Sequence, residues 1–303
     1  MTVLYLALVL FFLILIGFAA RKLKIVDEGF AGNLSSFLFN IAYPALIIKS
    51  MQFPFTAESL ITSFRLVVVS VLVLVISWCA AKFVNAALKA DSATSGVTTF
   101  AIMYSNFTFM AFPVIEELYG EDMLFYLAIY TIVLRIAYCT HGVNAIAGPM
   151  KKKPGLNIKS VINPPVIAIP VGLALYFFSL RLPYPVARTI EMLSRIVSPL
   201  GMVVAGLILA ELDFNEVFKG LRAYLISFIR LIVLPFIVFL IAKVLKLPDM
   251  ERQIAVIVSA MPVASVAVII SAKYEANREL VDKATFVSTL FSIITVPLIS
   301  LIV

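Results

Sequence analysis

The sequence predicts an all-helical membrane protein of ten transmembrane helices, on three observations. Of its 303 residues, 62% are hydrophobic and only 14% are charged, whereas about 25% of the residues of a soluble domain are charged. The mean hydropathy is +1.08. The apolar residues form long runs separated by short charged clusters, and a transmembrane helix needs about 20 such residues. Ten spans of this length leave only short loops and no room for a soluble domain.

The apolar runs place the ten spans between charged or polar residues. We expect them at residues 3–20, 31–49, 64–87, 97–118, 123–146, 162–180, 187–210, 219–245, 252–273 and 281–302. The first run has no basic region before it, so it predicts a membrane helix rather than a cleavable signal peptide.

Basic residues set the predicted orientation in a cell (inner) membrane. The loops on one side, which include Arg21 and the cluster Lys151, Lys152 and Lys153, hold most of the Lys and Arg. Because cytoplasmic loops are enriched in these residues, this side is predicted to be cytoplasmic and both termini extracytoplasmic. The same bias accounts for the net charge of +7, so we expect no nucleic-acid partner.

Few residues are available for catalysis or metal binding. Cys79 and Cys139 lie in separate apolar runs without the spacing of a disulfide or metal motif, and His141 is the single histidine. The spans lack paired aspartates, and no Gly-rich phosphate loop occurs. We therefore predict no enzyme, no metal and no cofactor, and an intramembrane enzyme is the weakest of the alternatives.

The two halves of the chain resemble each other. Pro44 and Pro199, and likewise Tyr119 and Tyr274, match at one common offset. Five helices per half would bring the second half into the membrane from the opposite side, which makes the repeat inverted. We expect a first repeat at 1–150, a basic cytoplasmic linker at 151–160 and a second repeat at 161–303.

The fourth span of each half is predicted to be interrupted. Pro113 follows a polar stretch in the span 97–118, and Pro262 lies within the span 252–273. Proline lacks an N–H and clashes with the preceding turn, so nearby carbonyls lose their helical partners. In a bilayer these groups must be satisfied by protein, water or a ligand. Paired interruptions are therefore the best sequence indication of a substrate site.

Arginines inside the spans suit an anionic substrate. Arg135 and Arg230 lie near the centres of their spans, and Arg195 lies in the seventh. A buried guanidinium binds a carboxylate through two parallel hydrogen bonds. The alternatives are that Arg135 or Arg230 caps freed carbonyls or pairs with Glu116.

Two further polar residues have open roles. His141 is a candidate for carrying a coupling proton, or else a hydrogen-bonded packing residue. Asn40 supplies its amide either to the substrate cavity or to a carbonyl freed by Pro44.

Four segments resemble the auxin efflux carrier family. They are Asn33 to Leu46; Ser105-Asn106-Phe107-Thr108 followed by Ala111-Phe112-Pro113; Asn163-Pro164-Pro165 followed by Gly172-Leu173; and Ser259 to Tyr274 with Pro262. The resemblance covers nearly the whole chain in order. Phe107 separates Asn106 from Thr108, which are adjacent in the family's usual motif, and this departure argues against auxin itself as the substrate.

The resemblance implies ten helices in two inverted repeats, with the fourth and ninth helices broken and crossing as in the bile acid sodium symporters. It also implies an elevator-like cycle between a scaffold and a transport domain that interleave both repeats, and a homodimer through the second and seventh helices. Plant members of the family export auxin, and bacterial relatives are associated with small carboxylates.

We therefore predict a secondary transporter or facilitator of a small organic anion in the lipid bilayer. The candidate substrate-binding residues are Ser105, Asn106, Thr108, Pro113, Ser259, Pro262, Ser265, Arg135 and Asn40. His141 is the candidate for ion coupling, and both H⁺ and Na⁺ remain open as coupling ions. The competing hypothesis is a non-transporting sensor or a channel on the same fold.

Overall fold

The structure, a computed structural model, describes residues 3–147, 162–211, 220–274 and 277–303. Regular structure in these ranges is helical, apart from one isolated β-bridge. The predicted linker at 151–160 lies outside the described residues.

The helices follow the apolar runs of the sequence. In chain order they are α1 Val3–Lys22, α2 Phe30–Ser50, α3 Ala57–Ala87, α4 Ser92–Met103, α5 Phe112–Tyr119, α6 Met123–Ala147, α7 Pro164–Phe177, α8 Tyr184–Ala210, α9 Leu221–Val244, α10 Asp249–Ala260, α11 Val266–Tyr274 and α12 Arg278–Ser300.

Six of the described helices, α2, α3, α6, α8, α9 and α12, are long and apolar enough to cross a bilayer. The chain is therefore a multi-pass membrane protein, whereas the count of ten spans stays a prediction. The predicted interruptions of the spans 97–118 and 252–273 are present, since each span consists of two separate helices.

Short polar side chains fix where several helices begin. Asp91 accepts a hydrogen bond from the backbone N–H of Thr94 at the start of α4. Asn163 and Asn277 do the same at the starts of α7 and α12. Each N-cap oxygen satisfies a donor that the first helical turn leaves open. The hydrogen bond with Thr94 also lowers the pKa of the Asp91 carboxyl.

Three prolines lie two residues after the end of a π-helical turn. Pro44 comes after Leu38–Ala42, Pro113 after Phe107–Ala111, and Pro235 after Ile229–Val233. The wide turn inserts one residue and moves the hydrogen bonds from the fourth to the fifth preceding carbonyl. The helix thereby accommodates the proline ring, which would clash with a regular preceding turn. The interruption of the fourth span consequently lies at residues 104–106, and not at Pro113 as the sequence suggested.

The chain divides into two compact units, and each draws on three segments. Unit 1 comprises Met1–Val67, Thr108–Ile132 and Ile158–Glu211, and unit 2 comprises Val68–Phe107, Val133–Asn157 and Leu212–Val303. Both units combine residues from the first and second halves of the chain. They therefore cut across the predicted repeats at 1–150 and 161–303, which remain a prediction.

Within unit 1, two glycines allow α1 and α8 to touch through their backbones. A Cβ added at Gly17 would overlap the carbonyl of Val203, and one added at Gly206 would overlap the carbonyl of Ile14. In lipid no hydrophobic driving force holds two helices together, so van der Waals contact between them matters more. Small residues increase that contact because they let the backbones approach closely.

We expect Gly206→Ala to destabilise the protein by about 1–3 kcal/mol, because the added methyl group must push the two backbones apart. Thermal unfolding of the detergent-solubilised protein measures the effect. Gly32→Ala is the matched control, since a Cβ there meets nothing within 4 Å and removal of a helical glycine is neutral or stabilising. Equal unfolding temperatures for the two variants would contradict the close packing of α1 on α8.

Candidate functional site

In unit 2, the segments that follow α4 and α10 pair through their backbones. After α4, Tyr104 is extended (φ −113°, ψ 109°), and after α10, Met261 is extended (φ −65°, ψ 147°). Ser105 and Val263 then form an antiparallel β-bridge. We call the paired segments Tyr104–Asn106 and Met261–Ser265 the crossover.

Two backbone hydrogen bonds hold the crossover. The N–H of Asn106 donates to the carbonyl of Pro262 at 2.8 Å, and the N–H of Ala264 donates to the carbonyl of Tyr104 at 3.2 Å. Each broken helix therefore satisfies groups that the other leaves open. This arrangement meets the requirement that buried backbone groups be paired.

Polar side chains at the crossover are linked across the two segments. The side-chain amide of Asn106 donates to the hydroxyl of Ser265 at 3.2 Å. Ser105, Asn106 and Ser265 are all buried. The structure thus brings together four of the predicted site residues, although the first two lie more than 150 positions before the other two in the sequence. They are Ser105 and Asn106, and Pro262 and Ser265.

A row of hydroxyl groups on α12 adds a component that the sequence analysis missed. Ser288 accepts a hydrogen bond from the N–H of Val263 at 3.1 Å and so supports the crossover. Thr285, Thr289 and Ser292 lie on the same helical face and are also buried. Among the described residues, the hydroxyls of Thr285 and Thr289 have no hydrogen-bond partner. The spacing i, i+3, i+4, i+7 of hydroxyl residues in an apolar span was the available signal.

Arg230 caps carbonyl groups at the C-terminal ends of both α4 and α10. Its guanidinium donates to the carbonyl of Ile102 in α4 at 2.7 Å. It also donates to Met261 at 3.0 Å and Val258 at 3.3 Å, at the end of α10. The side chain is only 2% exposed. Of the roles open to Arg230 from the sequence, the structure shows the capping of freed carbonyls.

Arg135 lies beside the residue that follows the crossover. Its guanidinium carbon is 5.2 Å from the ring centroid of Phe107, in a cation–π arrangement, and the side chain is 3% exposed. A buried charge in a membrane helix is costly, at least about 2.5–3.5 kcal/mol at mid-depth, so it faces protein or water rather than lipid.

Tyr104 connects the crossover to His141. Its hydroxyl donates to the carbonyl of Ala137 at 3.1 Å and lies 2.9 Å from Nδ1 of His141. The hydroxyl can donate its single proton to only one of these two groups at a time, so the tautomer of His141 decides which of them receives it. Gly142 makes room for the tyrosine ring, since a Cβ there would lie 2.8 Å from a ring carbon.

The other predicted residues have local partners or belong to unit 1. The hydroxyl of Ser259 is buried and donates to Val256 in its own helix at 2.7 Å. Asn40 is exposed in unit 1 and donates to the carbonyl of Ser36 at 2.8 Å. Thr108 is half-buried and Pro113 is buried, and both are also assigned to unit 1.

Arg195 differs from the other two arginines. Its side chain is 60% exposed and forms an ion pair with Glu191 at 2.6 Å. Its charge is therefore paired on its own helix and is not buried in unit 2 beside the crossover, as those of Arg135 and Arg230 are. A carboxylate one turn earlier on the same helix neutralises the charge at the surface.

Replacement of Ser288 tests the role of α12. We expect Ser288→Ala to destabilise the protein by about 1–3 kcal/mol, because it leaves the buried N–H of Val263 without an acceptor. Ser292→Ala on the same helix is the control, since within the part of the chain that the structure describes its hydroxyl donates to the carbonyl of Thr289, one turn back in the same helix. Thermal unfolding of both variants measures the difference, and a Ser288→Ala protein as stable as Ser292→Ala would contradict this role.

The sequence matches a known protein family over nearly its whole length. The family model described as "Membrane transport protein" matches residues 2–155 and 150–300. An uncharacterized transporter of Methanocaldococcus jannaschii, MJ1031, is 24% identical over 96% of both chains. A second, from Methanothermobacter thermautotrophicus, is 25% identical over 96% of this chain and 95% of its own. The uncharacterized transporter YfdV of Escherichia coli K12 is 25% identical over 94% of this chain and 93% of its own.

Proposed function

Because the chain belongs to the membrane transport protein family, that of the auxin efflux carriers, we propose that it is a secondary transporter or facilitator of a small carboxylate. The observation that carries this proposal is the buried crossover of unit 2 with a buried positive charge beside it. The guanidinium of Arg135 lies over the ring of Phe107, the residue directly after the crossover. The family membership favours transport over enzymatic activity.

The chemistry of the crossover favours an anion. Asn106 and Ser265 are amide and hydroxyl groups that donate hydrogen bonds, and Ser105 adds a second hydroxyl. Arg135 provides a permanent positive charge whose planar fork matches the two oxygens of a carboxylate. We assign substrate contact chiefly to these residues. Ser259 and Asn40 are weaker candidates because their polar groups already bond to their own helices.

The division into two compact units supports an elevator-like cycle of alternating access. We assign the transport domain to unit 2, since it contains the crossover, and the scaffold to unit 1. The scaffold assignment agrees with a homodimer formed through α2 and α8, because both helices belong to unit 1.

The proposed membrane arrangement has ten spans in two inverted repeats, with both termini on the extracytoplasmic side of the cell membrane. The matches of the family model to residues 2–155 and 150–300 support two halves of similar length. Lipid would cover the large exposed apolar side chains, such as Phe83 and Val75 of α3. Thr108 and Pro113 follow the crossover in sequence, and we keep them as candidates for lining the substrate path.

Ligand-induced stabilisation tests the substrate class. A ligand that binds only the folded protein raises its free energy of unfolding by about 2.7 kcal/mol when the free ligand concentration is 100 times the dissociation constant. We expect a thermal-shift screen of small carboxylates to identify stabilising compounds whose methyl esters or amides have no effect. Stabilisation by the neutral analogues to the same extent would contradict an anion site.

Substitution of Arg135 tests the site itself. We expect Arg135→Gln to weaken the stabilising carboxylate by at least about tenfold, since a charge-assisted hydrogen bond contributes about 1.5–3 kcal/mol. Arg195→Gln removes the same charge from an exposed, ion-paired position and should leave the affinity unchanged. Retention of full affinity in Arg135→Gln would remove this residue from the site.

Transport by the purified protein separates a carrier from the competing sensor or channel. A carrier exchanges labelled carboxylate across proteoliposomes in a saturable counterflow. A sensor gives no flux, and a channel gives flux without counterflow. Imposed H⁺ and Na⁺ gradients in the same vesicles identify the coupling ion, for which His141 is the proposed proton carrier.

A further inference from the structure

The crossover contains a cluster of carbonyl groups that converge on a single positive charge. The carbonyls of Ile102, Val258 and Met261 all accept hydrogen bonds from Arg230, at 2.7 to 3.3 Å. Ile102 lies near the end of α4, whereas Val258 and Met261 lie at the end of α10. The ends of two helices that are distant in sequence are therefore joined through one side chain.

Carbonyl groups at these positions attract a cation for two reasons. The last carbonyls of a helix have no helical partner, and the helix dipole concentrates about half a negative charge there. Two such ends meet at the crossover, in a place from which water is largely excluded. The carbonyl of Val258 also accepts a hydrogen bond from the N–H of Met261 at 3.4 Å, so loss of the positive partner would leave the carbonyls of Ile102 and Met261 buried and unsatisfied.

Membrane transporters commonly fill such positions with an ion. The unwound carbonyls and the C-terminal ends of half-helices are the groups that coordinate Na⁺ in transporters with interrupted helices. Carbonyl oxygens can replace the hydration shell of a monovalent cation. Here the position is occupied by a guanidinium, whose five N–H donors are fixed in a planar fork and which keeps its charge at any physiological pH.

We propose that Arg230 is a tethered cation that permanently takes the place of a bound Na⁺ at the crossover. The charge belongs to the chain, so the two broken helices stay joined without an ion from solution. If the protein is the transporter proposed above, Na⁺ coupling does not arise at these carbonyls, because Arg230 already occupies them.

The side chain starts from an irregular part of α9. Arg230 lies in the π-helical turn Ile229–Val233, which precedes Pro235 in α9. Such single-turn π-helical segments are rare and are frequent at functional sites. Arg230 is a positioning residue, because it acts on the backbone of the crossover and has no proposed contact with substrate.

Chemical rescue by a small cation tests the proposal without any substrate, so its outcome is independent of the proposed function. Arg230→Ala removes the side chain beyond Cβ, and ethylguanidinium has the same atoms as the part removed. We expect Arg230→Ala to unfold at least about 5 °C below the unsubstituted protein. Ethylguanidinium, and more weakly Na⁺ in exchange for choline, should then raise the unfolding temperature of Arg230→Ala in a saturable manner.

The control separates loss of the charge from loss of packing. Leu231→Ala lies in the same π-helical turn, is equally buried and leaves a cavity without removing a cation. It should lose stability but gain no response to ethylguanidinium or Na⁺. The proposal is wrong if these cations stabilise Arg230→Ala no more than they stabilise Leu231→Ala and the unsubstituted protein.

A second pair of variants covers the case in which Arg230→Ala does not fold. Arg230→Lys keeps a positive charge with three donors, whereas Arg230→Gln is neutral but still planar and able to donate. A tethered cation requires that Arg230→Lys unfold at the higher temperature. An unfolding temperature for Arg230→Gln equal to or above that of Arg230→Lys would show that hydrogen bonding and shape matter there rather than charge, and would overturn the proposal.

Discussion

The structure of the crossover depends on one constraint: buried backbone N–H and C=O groups need hydrogen-bond partners where water cannot supply them. An unbroken helix satisfies this requirement internally, and each interruption gives up several hydrogen bonds. In this protein the two interruptions compensate for each other through the bridge between Ser105 and Val263. Two side chains satisfy groups that the bridge does not reach. The hydroxyl of Ser288 accepts a hydrogen bond from the N–H of Val263, and Arg230 donates to the carbonyl of Ile102. The segments that follow α4 and α10 are therefore held together by each other and by side chains of α9 and α12.

The two buried arginines of unit 2 show how surroundings assign different roles to one residue type. Arg230 directs three N–H groups at carbonyls and lies at the ends of two helices. Arg135 instead presents its guanidinium to the face of Phe107. A ring face attracts a cation through its quadrupole. One guanidinium therefore caps backbone carbonyls, whereas the other lies over an aromatic ring.

Prolines in this fold mark two different situations. Pro113 and Pro235 follow π-helical turns that absorb the ring while the helix continues. Pro262 instead lies between α10 and α11, where its carbonyl accepts the hydrogen bond from Asn106. A proline in an apolar span thus predicts a local departure from α-helical hydrogen bonding. Whether that departure is a widened turn or a true break depends on partners elsewhere in the chain.

The sequence by itself determined the helical, multi-pass character and the family of the protein, because hydropathy and the motifs around Asn106 and Pro262 are local properties of the chain. It also located the two interrupted spans. It did not locate the first break at residues 104–106, the support by Ser288 or the ion pair of Arg195 with Glu191, and it left the capping by Arg230 as one of several alternatives. Those features depend on contacts between residues far apart in sequence, such as Arg230 with Ile102 and Val263 with Ser288. No periodicity records such a pairing, so only the tertiary structure decides which buried polar group satisfies which.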